Sequence, residues 1–151
     1  MSELRDLYQE VIRDHSRNPR NFGKLDSATH RAEGYNPLCG DELALELCVD
    51  EGREISQACF TGRGCAISTA SASLLTEALC GKSVDEAEVL FETFHGAVTA
   101  PPDAPTDSES LGKLACLLGV REFPMRVKCA SLAWHTLQAA VHGETDPITT
   151  E

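Results

Sequence analysis

The first half of the chain shows the alternation of apolar and polar residues that is typical of a strand with one buried face. Between residues 41 and 49, every second residue is apolar: Leu43, Leu45, Leu47 and Val49. The letters "DEG" at 50–52 favour a turn, so residues 41–60 are predicted to form a β-hairpin. The segment before Asn36 is predicted to add a third strand.

The second half shows the spacing of amphipathic helices, with apolar residues three and four positions apart. Helices are predicted around Leu7–Ile12, from Cys65 to Gly81, after a capping box at Ser83–Glu86, over 111–118, and from Pro124 onward. A Pro- and Ser-rich loop separates the third and fourth of these helices. The predicted fold is therefore α+β, a small antiparallel three-stranded sheet with helices packed on one face.

Charge and cysteine content narrow the classes of function. The chain has 13 Lys+Arg against 24 Asp+Glu, a formal net charge of −11, which argues against nucleic-acid binding. The N-terminus lacks the apolar region of a secretory signal, and no apolar run is long enough to span a membrane, so a cytoplasmic location is expected. In a reducing cytoplasm the seven cysteines are expected to be metal ligands, nucleophiles or packing residues rather than disulfides.

Three cysteines occur where the chain is predicted to change direction. Cys39 precedes the hairpin, Cys65 follows the glycine-rich "TGRG", and Cys129 lies early in the last helix. If these thiols converge with Asp41, they form a tetrahedral set that zinc accepts. A carboxylate binds zinc less tightly than a thiolate, so the set would suit a site that must release a ligand. Packing is the default role for the other four: Cys48, Cys59, Cys80 and Cys116.

Three motifs carry a resemblance to a known family. The segments "NPLCGD", "GRGCAISTASASLL" and "SLGKLACLLGVREFPMRVKCASLAWHTL" resemble the SufU family, zinc-dependent sulfur-transfer relatives of the IscU scaffold in the NifU N-terminal domain superfamily. The resemblance implies an IscU-like fold for one domain over residues 1–151, with a flexible tail at about 143–151. It implies zinc ligation by Cys39, Asp41, Cys65 and Cys129. Cys39 then accepts persulfide sulfur from a SufS-type, pyridoxal-phosphate-dependent cysteine desulfurase, for delivery to the downstream iron–sulfur assembly machinery.

The closest alternative is an IscU-type scaffold that carries a [2Fe–2S] cluster, and two departures weigh against it. IscU scaffolds have a histidine directly before the third cysteine, where this chain has Lys128, and the chaperone-docking Leu-Pro-Pro-Val-Lys is replaced by "FPMRVK". The loop at about 97–110 also resembles the SufU insertion. A purely structural zinc is a further hypothesis. Arg126, one helical turn before Cys129, is expected to support the site by pairing with Asp41, a partner carboxylate or the persulfide anion.

Overall fold

The computed structural model describes residues 2–105, 108–144 and 146–149, with side chains from residue 6 onward except that of Ser108. The elements, in chain order, are α1 (Ser2–Arg17), β1 (His30–Asn36), β2 (Asp41–Val49), β3 (Ile55–Arg63), α2 (Ala66–Leu79), α3 (Val84–Thr99), α4 (Ser108–Leu111), a 3₁₀ segment (Gly112–Glu122), α5 (Pro124–Val141) and β4 (Ile148–Thr149). The predicted α+β class is confirmed. None of the described helices combines the length and apolarity needed to cross a membrane.

The sheet is mixed and four-stranded, so the prediction of a three-stranded antiparallel sheet is wrong. Its strand order is β3-β2-β1-β4, and the pairs β1–β2 and β2–β3 are antiparallel, as expected. The added strand β4 pairs in parallel with β1. Two residues are too few to show a periodic pattern, so only their pairing with the free edge of β1 defines the strand. It lies within the tail at 143–151 that was expected to be flexible; residues 145, 150 and 151 of that tail lie outside the described ranges.

The core-facing side of the sheet is apolar along most of its length and polar at one end. In β2 the buried row consists of Asp41, Leu43, Leu45 and Leu47, and in β1 it consists of Ala32, Gly34 and Asn36. Because alternate residues of a strand face the same way, Asn36 and Asp41 continue the rows that form the core. They are also direct partners across the β1–β2 ladder. An amide and a carboxylate therefore lie side by side at the end of the core.

Helices α5 and α2 cover this face. Helix α5 packs on β1 and β2, and α2 packs on β3 and α5. Trp134 of α5 is fully buried, stacks on Phe94 with ring centroids 4.5 Å apart, and donates its Nε1–H to Ser71 Oγ of α2 at 3.1 Å. At Gly34 of β1 a Cβ atom would collide with Thr136 Oγ1 of α5, so only glycine allows this close approach. These contacts hold α5 against the sheet and against α2.

Two local predictions had different outcomes. The capping box of α3 is confirmed, because Ser83 Oγ accepts the Glu86 N–H and the Glu86 carboxylate accepts the Ser83 N–H. The short helix predicted over 111–118 is divided between the end of α4 and the 3₁₀ segment, so it is not one α-helix. Gly112, with φ +57°, ends α4 and starts the 3₁₀ segment, because a left-handed residue interrupts the α-helical hydrogen bonds. The loop predicted at 97–110 begins inside α3 and ends inside α4, and its residues 106 and 107 lie outside the described ranges.

Candidate metal centre

Cys39 lies in the turn that joins β1 to β2, at the change of chain direction predicted before the hairpin. The turn is closed by the Cys39 N–H, which donates to the Asn36 carbonyl at 3.2 Å, and Gly40 takes a left-handed φ of +73°. The Cys39 side chain is exposed, and its Sγ lies 3.3 Å from Cys129 Sγ. The turn thus presents one thiol that reaches both solvent and the buried part of the site.

Asp41 is the first residue of β2 and is only 1% exposed. Its Oδ1 accepts the Cys65 N–H at 2.9 Å, and its Oδ2 accepts a hydrogen bond from Asn36 Nδ2 at 3.2 Å. Over the part of the chain that the structure describes, no basic side chain pairs with it, so the expected Asp41–Arg126 pair does not form. A buried carboxylate without a cation is costly in free energy. Asp41 is therefore a buried carboxylate whose charge a bound metal ion would stabilise.

Cys65 and Cys129 lie near the N-terminal ends of two helices. Cys65 is the N-cap of α2, and its Sγ accepts the Ser68 N–H at 3.4 Å. Cys129 lies in the second turn of α5 and is fully buried. Burial raises the pKa of the Cys129 thiol far above its usual range, and hydrogen bonding with Cys39, the charge of and hydrogen bonding with Cys65, and the charge of Asp41 raise it further. Without a cation, negative charge is strongly disfavoured at this sulfur.

The structure brings three of the four expected ligands into one group. Cys39, Asp41 and Cys129 offer ligand atoms that all lie within 4.8 Å of one another. Cys65 falls outside this group, although its thiol interacts with Cys129 and its backbone holds Asp41. Three soft thiolates and one carboxylate suit a zinc ion, whose positive charge would offset the repulsion among these acidic groups. The residues present therefore fit the metal that the resemblance implies.

Arg126 and Lys128 lie beside this group rather than in it. Arg126 is exposed and lines an apolar groove of about 860 Å³ together with Arg13 and Arg17 of α1. Lys128 is half-buried and lines a smaller cavity of about 410 Å³ with His135. Neither cation forms an ion pair with Asp41 within the described ranges.

The four remaining cysteines lie outside the group formed by Cys39, Asp41 and Cys129. Cys116 is buried in the core, and burial raises the pKa of its thiol to about 12, as expected for a packing residue. Burial also raises the pKa of Cys59 above its ordinary value, with a contribution from the charge of Cys80. Cys80 itself is exposed at the end of α2, and Cys48 is half-buried in β2.

Asn36 is the site residue that sequence reasoning missed. It is fully buried, and its Nδ2 contacts both Asp41 and Cys129. The sequence contained a signal for it. Asp41 belongs to the alternate residues of β2 that face the core, and pairing across the two strands places Asn36 opposite Asp41. Without the length of the turn between the strands, that register could not be fixed.

Fold and site together define a small α+β protein with a group of thiols and a carboxylate that could bind a metal ion. Residues 7–130 match the family model described as the NifU-like N terminal domain. The chain is 39% identical to the zinc-dependent sulfurtransferase SufU of Bacillus subtilis (strain 168), over 95% of each chain. It is 41% identical to the iron–sulfur cluster assembly scaffold protein IscU of Streptococcus pyogenes serotype M1, over 93% of this chain and 86% of that one. The chain therefore belongs to the NifU-like N-terminal domain family, which includes SufU and IscU.

Solved structures agree with this assignment. The crystal structure of a putative iron–sulfur cluster assembly scaffold protein for the SUF system from Fervidobacterium islandicum AW-1 superposes with a TM-score of 0.80 at 36% identity, covering 87% of this chain and 94% of that one. A NifU-like N-terminal domain from Brucella abortus superposes equally well, with a TM-score of 0.80 at 17% identity, covering 93% of this chain and 96% of that one. The latter likeness concerns the fold alone.

Substituting Gly64 by alanine is expected to displace Asp41. A Cβ at this position would lie 2.6 Å from Asp41 Oδ1 and 3.1 Å from its Cγ. Because Asp41 is buried and bonded to Cys65, the carboxylate can move only by losing that contact. We expect zinc affinity, measured by chelator competition, to fall by about 10–100-fold, as for other residues that orient ligands. Gly96→Ala, in α3 where a Cβ meets nothing within 4 Å, is the matched control. Equal affinities for the two variants would contradict the prediction.

Proposed function

We propose that this protein is a zinc-dependent sulfurtransferase of iron–sulfur cluster assembly, acting as a single domain over residues 1–151. It accepts persulfide sulfur from a SufS-type, pyridoxal-phosphate-dependent cysteine desulfurase and passes it to the assembly machinery. The observation that carries the proposal is the exposed Cys39 thiol, which contacts a buried thiol and lies beside a buried carboxylate. The name of the Bacillus subtilis relative supports the same activity.

The proposed zinc ligands are Cys39, Asp41, Cys65 and Cys129. When bound, zinc would supply the positive charge that lets these thiols ionise at neutral pH. The chain's own contribution is to hold the acidic groups together: Asp41 is fixed by backbone and side-chain N–H groups, and Cys65 by the first turn of α2. Cys129 is shielded from solvent, so Cys39 is the exposed member of the group formed by Cys39, Asp41 and Cys129.

Cys39 is the proposed acceptor in a direct sulfur exchange. Its thiolate attacks the outer sulfur of the desulfurase persulfide, a new S–S bond forms on Cys39, and the S–S bond of the partner breaks. The partner cysteine leaves as a thiolate, so one sulfur atom moves without any external oxidant or reductant. The Cys39 side chain is exposed in the turn between β1 and β2, so a partner sulfur can reach it.

Exposed apolar side chains lie beside Cys39 and at the start of α5, the helix that carries Cys129. Leu38 precedes Cys39, while Phe123 and Met125 flank the first residue of α5; all three are 55–58% exposed. We propose that the desulfurase covers these side chains when it docks, which would exclude water from the transfer. Arg126, exposed on the same turn of α5, would then pair with a carboxylate of the partner or with the persulfide anion.

An assembly scaffold is the second candidate, and the name of the Streptococcus pyogenes relative favours it. A [2Fe–2S] cluster tolerates a non-cysteine ligand, so the ligand set permits this function. Against it, Lys128 occupies the position of the scaffold histidine. A protonated amine cannot donate an electron pair to iron.

The test measures alanine released from cysteine by a SufS-type desulfurase, with and without the zinc-loaded protein. Strong stimulation, accompanied by labelled sulfur on this chain, is the expected result. Anaerobic reconstitution with iron and sulfide is run in parallel. No stimulation together with a stable, transferable coloured cluster would favour the scaffold. No stimulation and no cluster, with zinc needed only for folding, would leave a structural metal site.

A further inference from the structure

The side-chain amide of Asn36 contacts two of the candidate ligands, Asp41 and Cys129. Its Nδ2 lies 3.2 Å from Asp41 Oδ2 and 3.5 Å from Cys129 Sγ, and the residue is fully buried. Both acceptors are groups that carry negative charge when they bind a metal. A single NH₂ group therefore contacts one ligand from the β-hairpin and one from α5.

The orientation of this amide gives N–H donors to the two candidate ligands and leaves the oxygen of Asn36 without a partner within the described ranges. Asn36 Oδ1 is buried and has no hydrogen-bond partner within the described ranges. A buried polar oxygen without a partner is unfavourable. The reversed orientation would be worse, because it would turn that oxygen towards the Asp41 carboxylate. The negative charge of the site thus fixes which way the amide points.

The four candidate ligands are not held equally. Asp41 is bonded to Asn36 and to the Cys65 N–H, Cys129 is contacted by Asn36, and Cys65 Sγ accepts the Ser68 N–H. For the exposed Cys39 side chain, the polar contact that the structure gives is with Cys129 Sγ. Among the residues that the structure describes, three candidate ligands therefore have N–H donors, and the proposed acceptor thiol has none.

We propose that Asn36 is the positioning residue that keeps Asp41 and Cys129 on the metal when Cys39 leaves it to accept sulfur. The assignment rests on the proposed function for the departure of Cys39, but the hold on the other ligands is a property of the resting site. Ligand-orienting groups of this kind commonly set metal affinity. Loss of Asn36 would convert a site that survives the departure of one ligand into one that loses the metal.

The alternative is that Asn36 only fills space at the end of β1. Asn36→Leu separates the two roles, because leucine has the same branched shape and number of side-chain heavy atoms, continues the apolar row, and removes both N–H donors and the unpaired oxygen. A packing role predicts unchanged zinc binding. The positioning role predicts a metal-free protein at least as stable as wild type, with zinc affinity about 10–100-fold lower. Gln138→Leu is the matched control, since Gln138 also has a buried oxygen without a described partner.

The experiment blocks the Cys39 thiol by alkylation and measures whether zinc is released. Zinc-loaded protein carrying Cys80→Ser is treated with one equivalent of iodoacetamide, which forms an S–C bond on the exposed Cys39 and releases iodide; mass spectrometry verifies the site. A chromogenic chelator then reports free zinc. We expect the protein that retains Asn36 and the Gln138→Leu variant to keep zinc bound. The Asn36→Leu variant is expected to release it. Asn36→Ala, analysed in the same way, covers the case in which leucine prevents folding.

Zinc release from the protein that retains Asn36, or zinc retention by both Asn36→Leu and Asn36→Ala, would overturn the assignment. Either result leaves the desulfurase test unaffected, because that test measures sulfur transfer rather than metal retention. Conversely, an absence of desulfurase stimulation would remove the proposed function, while the zinc-release comparison would still measure what Asn36 holds.

Discussion

Replacing Cys39 by serine is expected to reduce desulfurase turnover to the level of the desulfurase alone. Serine keeps the size of the side chain and the turn between β1 and β2, but its hydroxyl cannot take up sulfur as a persulfide. Because Cys39 is exposed and lies outside the core, the free energy of unfolding of the metal-free protein should change little. The assay compares alanine release and transferred labelled sulfur for the wild-type and variant proteins at equal zinc content.

Cys80→Ser is the control for this experiment. Cys80 is also an exposed cysteine, but it lies at the end of α2, away from the group formed by Cys39, Asp41 and Cys129. It should stimulate the desulfurase as well as wild type does. Full stimulation by Cys39→Ser would show that Cys39 is not the acceptor and would remove the chemical basis of the proposal.

Replacing Trp134 by alanine is expected to cost about 3–5 kcal/mol of stability, a large share of the roughly 5–15 kcal/mol of a small domain. The side chain is fully buried and stacks on Phe94, and its N–H donates to Ser71. The same residue ties α5, which carries Cys129, to α2, which begins after Cys65. The measurement is urea unfolding of the metal-free protein, so that metal binding does not mask the loss.

The exposed Val89→Ala serves as the reference for the stability measurement and should change the free energy of unfolding by no more than about 0.5 kcal/mol. Trp134→Phe retains an aromatic ring and should lose less than alanine does. A Trp134→Ala protein as stable as the Val89→Ala protein would mean that α5 is held by other contacts.

Patterns local in the chain predicted most of the secondary structure. The alternation at Leu43, Leu45 and Leu47 defined β2 because a strand repeats every two residues, and the Ser83–Glu86 box fixed the start of α3 because both partners lie within one turn. The helix predicted over 111–118 failed at Gly112, whose left-handed φ is a choice between conformations that glycine permits equally. Strand β4 was missed because its hydrogen bonds go to a strand more than a hundred residues earlier.

For the site, the sequence by itself determined the inventory: cysteines at three changes of chain direction, one carboxylate, and motifs that resemble the SufU family. Only the tertiary structure decided which of them meet. It placed Cys39 against Cys129, left Asp41 without an ion pair to Arg126 among the described residues, and brought the Asn36 amide into contact with both Asp41 and Cys129. The physical reason is that residue types and local periods are written along the chain, whereas distances between segments depend on how the hairpin pairs and on how α5 packs across the sheet.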